Sequence, residues 1–462
     1  MHDYDVLVLG GGSAGTSAAR AAVEAGARTA MINDGELGGL CILRGCMPTK
    51  AMLASAHAMH AATWTAPFGV VSRGTVSADF PAIMDRKDRM VARFKKAKID
   101  SIEAQRYEVI DARARFHPDG GLLVGGARMN ARRYVLAVGS VPSSIPVPGM
   151  EHVEILSSDD VMKLREQPDC LVVQGAGPVA IEMALFFARI GTRVVLVNRS
   201  SCLKLHDREI GEEMKAALSH EPNLQVTAPG RIRGIAQEGD SGLFTIESDE
   251  ASFTFRSSRL LMAVGRDAAL EGLDLQYAGI RTIHGRIIHD SAMQTSNPEV
   301  YVAGDATGDC QVLHIANQEG AVAGTNAALA RPEHRMDYRL KMSVFFSDPP
   351  LAAVGKTGPE LQEAGIRFVS GTARFPETGR AIARGVQHGI WRLYADAATG
   401  EILGAVILGP NADDLIHIIS TMMQYHGTAR DIMDRMPWYH PTQSEVIMSL
   451  AREIIPLLDP AS

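Results

Sequence analysis

A glycine-rich turn between an apolar strand and a helix occurs twice in this chain, and it constrains the fold more than any other feature. The first copy lies in DYDVLVLGGGSAGTSAARAAVEAGARTAMIND, where an apolar run is followed by a GxGxxG turn and an alanine-rich segment. This order predicts a βαβ unit that binds a dinucleotide, because the glycines let the backbone approach a pyrophosphate and the helix N-terminus stabilises its charge. The predicted contacts are Gly10, Gly12, Ser13 and Gly15.

The second copy, CLVVQGAGPVAIEMALFFARIGTRVVLVNRS, begins its turn at Gly175, 165 positions after Gly10. Gly177 and Ala180 complete the pattern. Either turn alone is also compatible with an α/β connection that binds nothing, but two such units in one chain weaken that interpretation. We therefore predict an α/β protein with two Rossmann-like dinucleotide-binding domains.

Further segments extend this pattern. Each βαβ unit is followed by an apolar strand that ends in Ala-Val-Gly, at Gly139 and at Gly265. TSNPEVYVAGDATG then predicts a strand ending at Gly304 and Asp305, where an acid is well placed to bind a ribose or ribityl hydroxyl. From about Tyr338 the sequence has alternating strands and then helices without a glycine fingerprint, which predicts a separate C-terminal α+β domain.

Composition restricts the remaining possibilities. A chain of 462 residues is too long for one core, and its net charge of −7 offers no basic face for nucleic acid or an anionic membrane. The longest apolar run, at about 171–188, is interrupted by Gln174 and Glu182, so no membrane span is expected. The first strand begins by about Tyr4 without a signal peptide, which predicts a cytoplasmic protein.

Two of the five cysteines, Cys41 and Cys46, lie close together in GGLCILRGCMPTK. In a reducing compartment such a pair indicates redox catalysis or metal binding. In a regular helix their Cα atoms would be roughly 8–9 Å apart, whereas a disulfide requires less than about 7 Å. A bond therefore requires a distorted segment, for which Gly45 supplies the freedom.

The environment of the pair favours redox chemistry over zinc. A cysteine near a helix N-terminus is shifted toward the thiolate, the form that attacks disulfides. A zinc site is disfavoured because no second Cys/His pair stands at ligand spacing, and no metal is expected.

With these motifs the chain resembles the flavoprotein pyridine nucleotide-disulfide oxidoreductases, the family of lipoamide dehydrogenase, glutathione reductase and mercuric reductase. The motifs GGLCILRGCMPTK, AVGS, GAGPVAIE, AVGR, VYVAGD, FFSDPPLAAVG and HPTQSE follow the family's order. The resemblance implies FAD in the first Rossmann domain, NAD or NADP in the second, and a C-terminal dimerisation domain. The implied boundaries are 1–148 for the first part of the FAD domain, 149–268 for the NAD(P) domain, 269–336 for a return segment, and 337–462 for dimerisation.

The resemblance also assigns roles around the cysteines. It implies that Cys41 and Cys46 form a reversible redox disulfide, with Cys46 against the flavin as the charge-transfer thiolate and Cys41 as the interchange thiol. Lys50 matches the family's lysine near the flavin ring, and Glu182 matches its acidic partner. Gly39 is implied to contact the cofactor.

HPTQSE, near the C-terminus, allows two interpretations. Thr442 and Glu445 have the spacing of a capping box, which would leave His440 as a surface histidine. The resemblance instead makes His440 the acid–base of the dithiol, oriented by Glu445 and reaching the disulfide of a second subunit. The two interpretations are compatible, and the second implies an obligate homodimer.

The chain departs from the family pattern at both adenosine sites. Asn33, followed by Asp34, stands where the first fold usually has a ribose-binding Glu. The second fold has Asn198 and Arg199 at the corresponding place; Arg199, with Lys204, favours NADP or poor discrimination, because an Arg can hold a 2′-phosphate.

The substrate is the most open question. The absence of a C-terminal cysteine pair argues against mercuric reductases and other enzymes that depend on one, and VLHIANQEGAVAG resembles the lipoamide dehydrogenase branch. We therefore expect dihydrolipoamide, with a lipoyl-bearing protein as a possible partner. The alternatives are a glutathione-type disulfide, or transhydrogenase or quinone reduction without the thiols. His57 and His60 are interpreted as packed or exposed rather than metal-binding.

Overall fold

The structure is a computed structural model that describes residues 2–71, 73–201, 206–249, 251–329 and 332–459. The chain folds into two compact units, each assembled from three separate segments. The first unit contains Met1–Ala51, Asp85–Ser143 and Gly265–Asp337, and the second contains Met52–Met84, Ser144–Val264 and Tyr338–Ser462. The domain boundaries drawn from the sequence, at positions 149, 269 and 337, stay predictions.

The described strands are numbered along the chain. They are β1 (Tyr4–Leu9), β2 (Thr29–Asn33), β3 (Glu108–Asp111), β4 (Ala114–Phe116), β5 (Leu122–Val124), β6 (Ala127–Met129), β7 (Ala131–Leu136), β8 (Ser140–Pro142), β9 (Glu154–Leu156), β10 (Cys170–Gln174), β11 (Arg193–Val197), β12 (Leu224–Thr227), β13 (Gly230–Glu238), β14 (Ser241–Ser248), β15 (Ser252–Ser257), β16 (Arg259–Met262), β17 (Arg266–Ala268), β18 (Thr282–Ile283), β19 (Arg286–Ile287), β20 (Val300–Val302), β21 (Met342–Phe345), β22 (Leu351–Gly355), β23 (Phe368–Arg374), β24 (Ile390–Asp396) and β25 (Ile402–Leu408).

The described α-helices are numbered in the same way. They are α1 (Ser13–Glu24), α2 (Gly39–Leu43), α3 (Cys46–Thr63), α4 (Phe80–Glu103), α5 (Ser158–Val161), α6 (Pro178–Arg189), α7 (Arg208–Ser219), α8 (Leu313–Ala328), α9 (Gly358–Glu363), α10 (Gly379–Ala383), α11 (Ala412–Gln424), α12 (Ala429–Asp434) and α13 (Ile447–Ile454).

The first unit is built on a parallel sheet in the order β20-β7-β1-β2-β3. Strand β1 lies at its centre, and Val6, Leu7 and Val8 are fully buried. Continuous apolar strands of this kind are typical of parallel sheets that are covered on both faces. Because β20 comes from the segment after position 269, the last part of the first unit completes the sheet that the N-terminus begins.

Helices α1 and α8 of the first unit pack with their backbones in close contact. A Cβ added at Gly320 would lie 2.2 Å from the Ala14 carbonyl oxygen, and one added at Gly324 would lie 2.1 Å from the Ala18 carbonyl oxygen. Only glycine fits at these two positions of α8. This packing places Gly304, which directly follows β20 and Ala303, against the first turn of α1.

The second unit contains two five-stranded sheets. A parallel sheet in the order β12-β11-β10-β16-β9 is followed along the chain by an antiparallel sheet in the order β21-β22-β25-β24-β23. Helix α6 follows β10 and is buried along nearly its whole length. The predicted α/β class, with two Rossmann-like sheets and a C-terminal α+β region, is confirmed. Among the described residues, no helix is long and apolar enough to cross a lipid bilayer.

Candidate active site

The first glycine turn leaves no room for side chains. Gly10 has a φ of 110°, and an added Cβ would lie 2.2 Å from the carbonyl oxygen of Ala137; at Gly15 it would lie 1.8 Å from the carbonyl oxygen of Gly10. Gly12 is the N-cap of α1 and provides no side-chain cap, so the first backbone N–H groups of the helix, beginning at Ser13, remain for a ligand. These features fit a pyrophosphate.

Asn33 holds this turn in place. Its side-chain oxygen accepts a hydrogen bond from the Gly11 N–H at 2.8 Å, and its amide group donates to the Gly35 carbonyl at 2.8 Å. The neighbouring Asp34 is exposed. Asn33 therefore stabilises the loop, and a contact of Asn33 or Asp34 with a ribose stays a prediction.

Asp305 lies in a chain of polar contacts at the end of β20. Ser140 donates its hydroxyl to the Asp305 carboxylate at 2.6 Å, and the Arg266 Nε donates to that hydroxyl at 2.9 Å. The Gly304 N–H donates to the buried Glu319 carboxylate at 2.7 Å, which fixes the turn before Asp305. The carboxylate of Asp305 is thus oriented by residues that follow the two Ala-Val-Gly segments.

The second glycine turn repeats the geometry of the first. Gly175 has a φ of 130°, and an added Cβ would lie 2.2 Å from the carbonyl oxygen of Ala263. Ala180 is fully buried, whereas an added Cβ at Gly177, the N-cap of α6, would meet nothing within 4 Å. In both copies the first glycine packs against the alanine of an Ala-Val-Gly segment, Ala137 or Ala263. The last residues of these segments, Gly139 and Gly265, have φ of 77° and 124°.

The nucleotide-selecting positions differ in their surroundings. The Asn198 amide donates to the backbone and hydroxyl oxygens of Ser200, at 2.9 and 3.0 Å. Arg199 is exposed and forms no ion pair or hydrogen bond with the described residues. Lys204, expected to assist it, lies outside the described residues. Recognition of a 2′-phosphate by Arg199 stays a prediction.

Cys41 and Cys46 lie on two different helices separated by a sharp break. Cys41 belongs to the short helix α2, and Cys46 is the first residue of α3. An added Cβ at Gly45 would lie 3.1 Å from the Leu40 carbonyl oxygen and 3.4 Å from the Cys41 Cα. Gly45 does not adopt a positive φ, so it contributes space rather than the backbone freedom that the sequence suggested.

The two cysteines are thiols in this structure, and their environments differ. The hydrogen bond with Cys46 raises the pKa of Cys41, burial raises it further, and the charge of Lys50 opposes both effects. Cys46 is the first residue of α3, and a helix N-terminus favours the thiolate form of a cysteine. Gly39, the first residue of α2, lies against Gly12: its added Cβ would be 2.7 Å from the Gly12 Cα.

Glu182 is a buried carboxylate on α6. It is 2% exposed and accepts a hydrogen bond from the Phe346 N–H at 3.0 Å. Lys50 lies on α3 in the first unit, so the two residues of the expected pair belong to different units. Their pairing stays a prediction.

His440 and Glu445 form a directed pair near the C-terminus. The His440 Nδ1 lies 3.1 and 3.0 Å from the two carboxylate oxygens of Glu445, and the imidazole is 77% exposed. Glu445 also accepts from the Thr442 N–H, while its own N–H donates to the Thr442 hydroxyl. These reciprocal bonds are those of a capping box. The Glu445 carboxylate therefore bonds both the Thr442 backbone and the His440 ring, as the two interpretations require. The outer nitrogen of His440 faces away from Glu445.

His57 and His60 belong to an ion-pair cluster of the second unit. The Arg189 Nη1 donates to the His57 Nδ1 at 3.0 Å and lies 2.9 Å from Asp348. Arg189 also forms a bidentate pair with Glu221, whose carboxylate lies 4.0 Å from the His60 Nδ1. The expectation that these histidines are simply packed or exposed missed this network.

Comparison with known proteins decides the family. The sequence profile described as "Pyridine nucleotide-disulphide oxidoreductase" matches residues 4–320, and the profile for the dimerisation domain of the same family matches residues 342–451. The chain belongs to this family. The oxidoreductase is therefore a flavoprotein that uses FAD and NAD(P), and the two glycine turns provide cradles that fit these dinucleotides.

Relatives of the oxidoreductase are named for different substrates. A mercuric reductase of Streptomyces lividans is 31% identical over 97% of this chain and 96% of its own length. A dihydrolipoyl dehydrogenase of Bacillus subtilis is 30% identical over 96% of both chains. Among solved structures, a copper(II) complex of the HOCl-induced flavoprotein disulfide reductase RclA from Escherichia coli has a TM-score of 0.83 at 24% identity, covering 98% of this chain and 99% of that one. This structural likeness shows the shared fold.

Sequence reasoning about the oxidoreductase missed several polar residues of its site. Ser140 and Arg266, which orient Asp305, belong to the motifs AVGS and AVGR, but the sequence did not predict a role for either side chain. Their position directly after each Ala-Val-Gly was the available signal. Glu319 had none, because a carboxylate inside an alanine-rich helix resembles an exposed one until its burial is known.

Proposed function

We propose that this protein is an FAD-dependent oxidoreductase that exchanges electrons between NAD(P) and a dithiol–disulfide pair through Cys41 and Cys46. The observation that carries the proposal is the unequal placement of the two thiols: Cys41 lies on the short helix α2, where the hydrogen bond with Cys46 and burial raise its pKa, and Cys46 begins α3, whose N-terminus favours a thiolate. We assign this reaction to the cytoplasm, where thiols are kept reduced.

Each residue has one task in this reaction. When bound, FAD supplies hydride exchange with NAD(P) and two-electron exchange with the cysteine pair. Cys46 is the thiolate on the flavin side, and Cys41 exchanges with the external thiol. Lys50, on the helix that begins at Cys46, and Glu182, buried at the second dinucleotide turn, adjust the charge near the cofactors.

His440 moves the proton of the thiol exchange. Glu445 holds the Nδ1 of His440 and so leaves the exposed Nε2 to accept or release a proton. We propose that His440 serves the cysteine pair of a second subunit in a homodimer formed through the C-terminal domain. The exposure of His440 in the single chain supports this assignment.

The proposed substrate is dihydrolipoamide, because VLHIANQEGAVAG and the similarity to dihydrolipoyl dehydrogenases both favour it. A lipoyl-bearing protein would then be the natural partner. Mercuric ion is the second candidate, against the expectation from the sequence, because mercuric reductases of Staphylococcus aureus and Streptomyces lividans are 32% and 31% identical to the chain.

Steady-state turnover tests this proposal. The purified yellow protein is assayed for dihydrolipoamide oxidation with NAD and with NADP, and for mercuric ion-dependent NADPH oxidation. We expect dihydrolipoamide oxidation that falls by at least about a hundredfold in His440→Gln, because general acid–base groups typically contribute this much. Arg199→Gln measures the contribution of Arg199 to the NADP/NAD ratio. Turnover of mercuric ion alone would assign the second substrate, and no turnover of either would contradict both.

A further inference from the structure

His289, which follows β19 in the first unit, has an imidazole ring that is mostly buried, with 9% of the side chain exposed. Each ring nitrogen faces an oxygen atom. Nδ1 lies 3.0 Å from the Asp290 carbonyl oxygen, and Nε2 lies 3.1 Å from a carboxylate oxygen of Asp309. A carbonyl and an ionised carboxylate only accept hydrogen bonds, whereas a neutral imidazole has a single N–H to donate. The geometry therefore fits the doubly protonated, positively charged ring, which donates to both oxygen atoms.

Asp309 receives two cations from the β18–β19 hairpin and the residues after it. Besides His289, the Arg286 Nη1 lies 3.4 Å from the other carboxylate oxygen. The Arg286 side chain is 61% exposed, so solvent screens its pair more strongly than the pair with the buried imidazole. His289 is therefore the main partner of this carboxylate.

Two further ionisable side chains lie close to the ring. The Asp290 carboxylate accepts from the Ala292 and Gln294 N–H groups and lies 4.0 Å from Arg335. His284, at the tip of the hairpin, is exposed. The carboxylate of Asp290 is thus satisfied by other partners, and the charge of His289 is directed at Asp309.

Asp309 closes the turn that carries Asp305. This turn, Gly304–Thr307, contacts β19 within the first unit. The Asp309 N–H donates to the Thr307 hydroxyl at 3.2 Å, and that hydroxyl donates to the Gly304 carbonyl at 2.9 Å. A movement of Asp309 is therefore transmitted to the backbone that holds Asp305.

The two ends of this turn are fixed by different side chains. At its beginning, the buried Glu319 carboxylate accepts from the Gly304 N–H at 2.7 Å. After its end, Gly308 packs tightly against the hairpin, because an added Cβ would lie 2.7 Å from the Arg286 Cγ. The end at Asp309 depends on the charge of His289, so its position responds to pH.

We propose that His289 is a charged positioning residue whose pair with Asp309 holds the Asp305 turn in place for FAD, and that loss of its proton loosens the flavin. This inference rests on the proposed function, in which Asp305 meets a ribityl hydroxyl of FAD. The neutral ring can donate to only one of its two acceptors. The stabilisation is therefore present at acidic pH and is lost as the pH rises.

The rate of FAD release from the holoenzyme tests this inference without thiol turnover. The protein is diluted at about pH 6 and at about pH 9, on either side of the range in which histidine changes charge, and free flavin is followed by its fluorescence. We expect release to be about two- to fivefold faster at the higher pH, a modest factor because the ion pair is partly exposed. In His289→Gln, which is neutral at both pH values, we expect the ratio of the two rates to fall to about one.

Two further variants separate charge from shape. Asp309→Asn keeps an acceptor oxygen but removes the ion pair, so it also loses the pH dependence. His284→Asn changes the exposed histidine of the same hairpin, at a φ of 49° that asparagine tolerates, and keeps the wild-type ratio.

The remaining outcomes overturn the inference. A wild-type rate that does not change with pH, or a pH dependence that persists in His289→Gln and Asp309→Asn, means that this pair does not act on FAD. Faster release at both pH values with the wild-type ratio retained means that the His289 ring only fills space. The measurement needs no dithiol, so absence of dihydrolipoamide turnover leaves it intact and the two proposals fail separately.

Discussion

Asp305 illustrates how a single side chain depends on residues remote in sequence. Its carboxylate accepts from Ser140, which is 165 positions away, and Arg266 in turn donates to the same hydroxyl. Two donors in series fix the orientation of one carboxylate. Under the proposed function, Asp305 then meets a ribityl hydroxyl of FAD with little freedom to rotate.

Replacing Ser140 therefore tests the role of Asp305. Ser140→Ala removes a hydrogen bond to a charged group, which is worth about 1.5–3 kcal/mol. We expect the Kd for FAD to rise by roughly tenfold or more, measured by flavin fluorescence as FAD rebinds to the apoprotein. Ser140→Thr retains the hydroxyl and is the matched control. Equal affinity of the alanine variant and the wild type would contradict this role.

At the scale of elements, the end of α6 is joined to neighbouring segments by charge. Arg189, the last residue of α6, has a side chain 3% exposed and pairs with Glu221 and Asp348. Burial alone would raise the pKa of Asp348, but the His57 ring and the charge of Arg189 outweigh it and hold the pKa at about 2. Asp348 lies two residues after Phe346, whose N–H donates to Glu182 on α6. The same segment therefore contacts α6 at Glu182 and at Arg189.

Arg189→Met tests this junction. Breaking a buried ion pair leaves Glu221 uncompensated and typically costs about 3–5 kcal/mol. We expect the free energy of unfolding of the protein, followed by urea titration, to fall by this amount. The control is Arg208→Met, which breaks an exposed pair with Glu212 on α7 and should cost less than about 1 kcal/mol. Similar losses in both variants would contradict the structural role of Arg189.

At the scale of the whole molecule, the sequence was most informative where backbone geometry demands a particular residue. Gly10 and Gly175 each pack so closely against a backbone carbonyl oxygen that no side chain fits there. Because only glycine is tolerated at these two positions, the repeated glycine turn predicted both Rossmann sheets. Charge networks were not predictable in this way. His57 and Arg189 are 132 positions apart, and His289 and Asp309 are 20 apart. Arg, Lys and His occur both exposed and paired, so only the folded chain distinguishes the two states.

The central claim concerns the whole molecule as an electron carrier, and anaerobic titration with dithionite tests it most directly. A flavin and a redox-active disulfide each take two electrons. The account predicts that the oxidised protein consumes about four electrons per FAD before it is fully reduced, and that Cys41→Ser consumes about two. Full reduction of the wild type by about two electrons per FAD would mean that the cysteine pair does not take part.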